Sequence, residues 1–325
     1  MTLVHQKCYK NFLVNLVKSF INVCMKNLYF LLALSIVSIA GCSTSKLTVN
    51  LAGSTVKDGI GAFYEESDFE LARQGLFANI KLLEVLHKAD PDNDDIRILL
   101  SQAYGGISYL FLDTELLNSP KDKEKTIRLG ARMTEFYTRG LKYGLAVLQD
   151  DALFKKAMDK NDLDQISIQS KKIKNKEALF WTVFNWSLLL NMNRNSADRV
   201  VELPKIKILL EKMNTLDKTF FHGAPLALQG VIECSMPKML GGRPQEGAKL
   251  MEEALKVSER KFLIIQLLYA QYCAPALQDK KLFNNLVEEI QNAPLGDGDV
   301  VLINNSVKLK TPGIKKNISE LFIEE

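Results

Sequence analysis

The feature that most constrains this chain is a break, Asp90-Pro91-Asp92-Asn93, set between two stretches of helical period. Before it, DFELARQGLFANIKLLEVLHKA (68–89) places Leu76, Ile80, Leu83 and Leu86 on one face of a helix, which starts either with Asp68 as its cap or nearer Val56. After it, Asp95 to Leu112 carries ILLSQAYGGISYLFL and reads as a second helix. Proline has no amide to donate and clashes with the preceding turn, so the chain must turn here. Two amphipathic helices on so short a link bury their apolar faces most readily against each other, antiparallel.

The same grammar runs on. A polar loop, NSPKDKE (118–124), leads into the long amphipathic segment IRLGARMTEFYTRGLKYGLAVLQ (127–149). Residues 150–176 are charged and polar, an excursion with a short helix of its own. Glu177–Met192 is apolar on most sides and carries Trp181 and Trp186, so it is expected at the centre. Pro204 is well placed to start a helix through Met213. Phe221–Ser235 is another helix, MLGGRP (239–244) is a tight turn, and Gln245–Ser258 with Phe262–Ala274 form a further hairpin. Lys281–Ile290 adds one more helix before APLGDGD (293–299) breaks it. VVLINNSVKLK (300–310) reads as an extended segment and Lys315–Ile323 as a short helix.

Recurring helical hairpins invite a search for repeats. With Pro91 set at the end of a tetratricopeptide unit of about 34 residues, Leu83 and Leu86 take its second-helix core slots. In the next unit Leu100, Ser101 and Tyr104 take the large, small and aromatic slots. With Gly247 at the alanine-like slot of a later unit, Met251 and Ala254 fall into place, and Leu268 and Tyr272 follow in the next. Asn79, Tyr269 and Glu259 fit poorly. The fold expected is therefore all-α, with tetratricopeptide-like helical hairpins forming a compact solenoid over residues 57–290. Residues 291–325 would be an extension packed on it or trailing it. Such stacks share one continuous core and expose a concave face that suits binding rather than chemistry.

The front of the chain has a different character. Leu28 to Ala40 is apolar but for Ser35 and Ser38, follows Lys26, and is short of the roughly 20 residues that span a bilayer. It ends in Ile39-Ala40-Gly41-Cys42. Basic, apolar and small-residue regions in that order are an export signal. The small residues before the cysteine resemble the lipobox of bacterial lipoproteins, which implies acylation of Cys42 and cleavage before it. Residues 1–41 are then a signal region, and 42–56 a small, polar, lipidated tether. A signal starting at Met25 needs none of residues 1–24, so an early start codon and a long leading region are both open. Ser43 resembles the outer-membrane class of such proteins, which implies a lipid anchor facing the periplasm from the outer membrane.

Residues 1–41 hold Lys7, Lys10, Lys18 and Lys26 and no acid, so the formal charge of +4 resides there. The remainder is near neutral, and no nucleic-acid partner is expected. Beyond the signal, Cys234 and Cys273 remain. They suit either a disulfide in an exported protein or two small buried side chains.

Little in the sequence suggests catalysis. His87 and His222 have no companion at metal-ligand spacing, and neither a cofactor nor a metal is expected. Glu65, Glu66 and Asp68 read as a solvated helix start, and MLGGRP lacks a phosphate-loop pattern. Aromatics are the better candidates. Tyr104 and Tyr109 share one helix, while Phe180, Trp181, Phe184 and Trp186 crowd another. Most such rings pack in a core, but tyrosine and tryptophan also build apolar pockets with polar handles. Tyr104, Tyr109, Trp181, Trp186 and His222 are the candidate ligand-binding residues.

EESDFELARQGL, LLEVLHKADPDN, LSQAYGG, FYTRGLKYGLAVL, ELPKIKILLEKMNTLDKTFFHGAP, LGGRPQEGAKLMEEALKVS and YAQYCA follow GCS in order. This succession resembles the TRAP transporter T-component family, tetratricopeptide-like periplasmic lipoproteins. The resemblance implies a non-enzymatic adaptor in solute uptake that works with a periplasmic substrate-binding subunit. It also implies a small apolar or organic-acid ligand and assembly as a homotrimer. The competing readings are an outer-membrane biogenesis or envelope scaffold and a lipid- or glycan-active enzyme. Replacing Cys42 by Ala should abolish metabolic labelling with a fatty acid and release the protein from membranes; undiminished labelling would refute acylation at this residue.

Overall fold

The structure, a computed structural model, describes Met25 and residues 46–192, 201–236, 241–316 and 318–322. The signal segment, Cys42 and Ser43 lie outside the described residues. From Gly53 onward the described residues form one compact unit. Every regular element among them is helical, and no strand occurs. The all-α expectation holds, as a stack of helical hairpins.

Residues 46–58 are helical, and after them come α1 (Ile60–Tyr64), α2 (Phe69–Ala89) and α3 (Asp94–Gly106). A π-helical segment, Ile107–Leu112, continues α3 and passes into a short α-helix, Asp113–Leu117. Then come α4 (Lys123–Leu148), α5 (Ala152–Asp159), α6 (Leu163–Ser170), α7 (Lys176–Met192), α8 (Leu203–Asp217), α9 (Phe220–Ser235) and α10 (Pro244–Val257). Short α11 (Ile264–Leu268) leads into a second π segment, Tyr269–Cys273, and α12 (Lys280–Asn292) and α13 (Val301–Lys316) follow, with a final short helix at Ile318–Leu321.

Acid and amide side chains start these helices. Asp68 accepts from the amides of Glu70 and Leu71, Asn93 from Ile96, Asp122 from Lys125 and Asp279 from Leu282. Each such cap is worth about 1 kcal/mol. Pro204 and Pro244 instead occupy first-turn positions, where no amide partner is lost.

Helix α7 lies at the centre. Ala178, Leu179, Thr182, Val183 and Asn185 have no exposed surface, and α3, α4 and α8 all pack on it. Close approach is bought with glycine. A Cβ on Gly140 would stand 2.4 Å from Asn185 Oδ1, and one on Gly144 would stand 2.4 Å from Thr182 Oγ1. Asn185 Nδ2 uses this proximity to donate to the Ser101 carbonyl at 3.0 Å and to the Trp181 carbonyl at 2.8 Å. The amide thus ties α3 to α7.

The segment 300–310 is not extended, as its β-branched residues had suggested. It forms most of α13, with Leu302, Asn304 and Lys310 fully buried. Tertiary burial overrides local propensity here. Asn304 accepts from the Leu263 amide and donates to the carbonyls of Lys261 and Leu295. Helix α13 then crosses to the first hairpin, where it packs on α1, α2 and the π segment after α3. There Ser306 Oγ donates to the Leu110 carbonyl at 3.0 Å, and Lys310 Nζ to the Tyr109 carbonyl at 2.7 Å. A switch from i+4 to i+5 bonding leaves carbonyls short of regular partners at its ends, and α13 supplies donors to this segment. Asp113 Oδ2 balances the buried ammonium at 2.8 Å. Cys234 and Cys273 form a disulfide that joins α9 to the second π segment.

Gly140→Ala should lower stability by about 1–3 kcal/mol through overpacking, read as a lower urea midpoint by circular dichroism; an unchanged midpoint would mean that Asn185 moves aside freely.

Candidate functional site

Phe180, Trp181 and Phe184 of α7 face a cavity lined by the π segment after α3, α7, α9 and α11. It has two chambers. The narrow one, about 60 Å³, is lined by rings from several hairpins, including Tyr64, Tyr109, Trp181, Phe184 and Phe221. The wide one, about 390 Å³, is lined by Ser187, Asn191 and Tyr272 as well as Tyr109 and Phe184. Five residues belong to both walls: Tyr109, Phe184, Leu228, Ile264 and Leu268. The wide chamber falls within the roughly 300–1,000 Å³ of ordinary small-molecule sites.

Local sequence explains how these rings are held. Tyr109 sits in one π segment and Tyr272 in the other. A π turn adds a residue per turn and rotates the residues after it, and such turns cluster at functional sites. Tyr109 meets Phe184 edge-on, with centroids 6.0 Å apart, and Lys310 Nζ lies 3.4 Å from its ring centroid on the buried side. Burial draws the Lys310 ammonium below the ordinary lysine range, opposed by Asp113.

Phe221 reaches the cavity by an unusual backbone. Phe221, His222 and Gly223 have φ of 46°, 58° and 86°, so α9 opens with a left-handed turn. This conformation costs about 1–2 kcal/mol at each non-glycine residue. Ring packing offsets it: Phe221 contacts Tyr64, Trp181 and Phe262 at centroid separations of 5.5–5.8 Å. His222 Nε2 lies 3.0 Å from Asp299 Oδ1 and pins the turn from outside.

The structure separates the five sequence candidates. Tyr109 and Trp181 line the cavity. Trp186 is buried in the core beside it, under the Lys205 ammonium, and lines neither chamber. Tyr104 faces the other side of α3. Its hydroxyl donates to Glu84, Arg139 donates to it, and Tyr143 stacks on its ring. His222 holds the turn and is absent from both walls. Tyr64, Phe221 and Ser187 were missed in the sequence. Tyr64 precedes any clear periodicity, Phe221 depends on the left-handed turn, and Ser187 is one small residue in an apolar helix. Tyr272 had one signal, its place in the aromatic slot of a repeat.

Among the described residues no group of three or more His, Cys, Asp or Glu side chains is placed to hold a metal ion. A profile of the TRAP transporter T-component family matches residues 65–322. The chain belongs to that family. No curated protein gives a significant match. Membership ties this T-component to transport. It also corrects the outer-membrane placement read from Ser43, because the family is associated with the inner membrane. A residue beside a lipidated cysteine is a sorting label and leaves no trace in packing, whereas the family match rests on most of the folded chain. No helix among the described residues is long and apolar enough to cross a membrane.

The cavity phenols should report on the fold. Burial pushes Tyr64 from 10 up to about 12 and raises Tyr109 well above its usual value. Between these limits the folded chain holds more protons than the unfolded one, so stability is intact below pH 10 and declines as pH climbs toward 12. Absorbance at the phenolate band should show a subset of tyrosines ionising only together with loss of helix. If all phenols titrate near pH 10 with the helices intact, the cavity tyrosines are not sealed.

Proposed function

We propose that this T-component holds an apolar ligand in the two-chambered cavity and works beside the substrate-binding subunit of a TRAP-type uptake system. The observation that carries the reading is the wide chamber, about 390 Å³, walled by Tyr109, Phe184, Leu268 and Tyr272. Aromatic and aliphatic walls favour an apolar ligand by about 25 cal/mol for each Å² removed from water. A lipid on Cys42 would tether the protein at the membrane, so ligand and partner meet at one surface. The homotrimer implied by the family resemblance is compatible with this role and adds nothing to the cavity itself.

Two measurements test the proposal. Leu268, half-buried on both walls, is the residue to enlarge. Leu268→Trp should weaken binding of the neutral fluorophore N-phenyl-1-naphthylamine about tenfold or more by filling the space. Capture of the lipidated protein from membranes should recover a periplasmic substrate-binding subunit. Equal fluorophore binding by the variant would refute the cavity as the site; recovery of outer-membrane assembly proteins in place of that subunit would refute the role.

A further inference from the structure

We infer that the wide chamber selects a neutral amphiphile: an apolar body with an uncharged hydroxyl, carbonyl or amide head that bonds to Ser187. The inference rests on the reading of the cavity as a ligand site.

It begins with a hydroxyl that departs from its neighbours. Serine and threonine in helices ordinarily donate to the carbonyl four residues back. Thr182 does so to Ala178 on the same helix, Ser108 to Tyr104 on α3 and its continuation, and Ser235 to Val231 on α9. Ser187 does not. Its Oγ is buried and has no hydrogen-bond partner among the described residues, although the residue is 9% exposed and stands on the cavity wall. Other buried polar atoms without partners belong to His87, Asn185, Asn214 and Gln266, and none of those residues lines either chamber.

An unpartnered buried hydroxyl destabilises the fold that holds it. One torsion turns it, so a ligand group beside Ser187 can accept its proton or donate to its oxygen. The polar company on this wall is of the same kind. Asn191 Nδ2 lies 3.4 Å from Tyr272 Oη, a long contact that a ligand head can displace or join. Tyr109 stays a neutral phenol, because burial holds its proton.

Charge decides the class of head group. No described residue on either wall is acidic, basic or histidine. The buried ammonium of Lys310 lies against the Tyr109 ring and is already paired with Asp113, and that of Lys205 is paired with Glu202. An ionised carboxylate placed at Ser187 would lose its hydration and gain no counter-charge from the described residues of this wall. An alcohol, ketone or amide loses far less and recovers a hydrogen bond. An organic-acid ligand, the other class implied by the sequence resemblance, therefore fits this wall poorly.

The test uses displacement of N-phenyl-1-naphthylamine from the full protein at pH 8, with 1-octanol and octanoate as competitors. 1-Octanol should displace the fluorophore at a concentration at least about tenfold lower than octanoate. Ser187→Ala should weaken 1-octanol about three- to tenfold, the range of one neutral hydrogen bond. Its effect on the fluorophore should be smaller than its effect on 1-octanol, since apolar contact holds the fluorophore. Without ligand the variant should melt at the same temperature as the wild type or higher, since an unpaired buried hydroxyl has been removed. A merely structural serine would show the opposite, a lower melting temperature with no head-group discrimination. If the fluorophore binds but octanoate competes as well as 1-octanol, or Ser187→Ala leaves 1-octanol unchanged, the head-group inference falls and the apolar cavity stands. If the fluorophore does not bind at all, both fall.

Discussion

Lys310 is buried without residual exposure, and its ammonium meets the Tyr109 carbonyl and the Asp113 carboxylate at once. The rest of the unit depends on that contact in a particular way. Helix α13 carries the lysine across from the far end of the chain to the first hairpin, where the π segment needs donors. Desolvating a lone ammonium is expensive, and removing one member of a buried pair costs about 3–5 kcal/mol. The lysine therefore specifies where α13 lies. Ser306, one helical turn earlier, adds a second bond to the same segment at the Leu110 carbonyl. Together they hold Tyr109 from behind, so its ring can form part of a cavity wall and remain fixed.

Around this clamp the structure alternates tight and loose packing. On one flank of α7, Gly140 and Gly144 bring backbones so close that a methyl group would collide with Asn185 or Thr182. On the other flank, large rings at Phe180, Trp181 and Phe184 prop the helices apart. Glycines of α4 against one face of α7 and large rings on its other face thus produce a tight interface and an open chamber. The disulfide between Cys234 and Cys273 links α9 to the second π segment.

Much of the fold was legible in the sequence because its signals are local. Asp68 caps its helix as its place before the apolar period suggested, the next helix starts at the breaker that holds Asn93, and Pro204 starts a helix as its fixed φ favours. The apolar character of Glu177–Met192 pointed to the centre, where the helix lies. What was illegible depends on distant partners. Val300, Val301 and Ile303 look like strand residues until Asn304 and Lys310 find their partners in other helices. A π turn has no sequence mark of its own; ISYLFL reads as ordinary helix. Of the candidate site, Tyr109 and Trp181 emerged from aromatic crowding, but crowding also nominated Tyr104 and Trp186, which point elsewhere. Ser187 emerges only when the hydroxyls around it are seen to be satisfied and it is not.

The return of α13 to the first hairpin has a consequence for how such a protein can change. An open solenoid has two free ends, so a hairpin duplicated or lost there leaves the remaining stack intact. Here α13, the last long helix, is seated on α1, α2 and the π segment after α3. Adding or deleting one hairpin would carry Lys310 away from Asp113 and rotate the chamber walls out of register. The number of hairpins is therefore fixed by closure, and variation is confined to the loops and to the side chains that face the chamber.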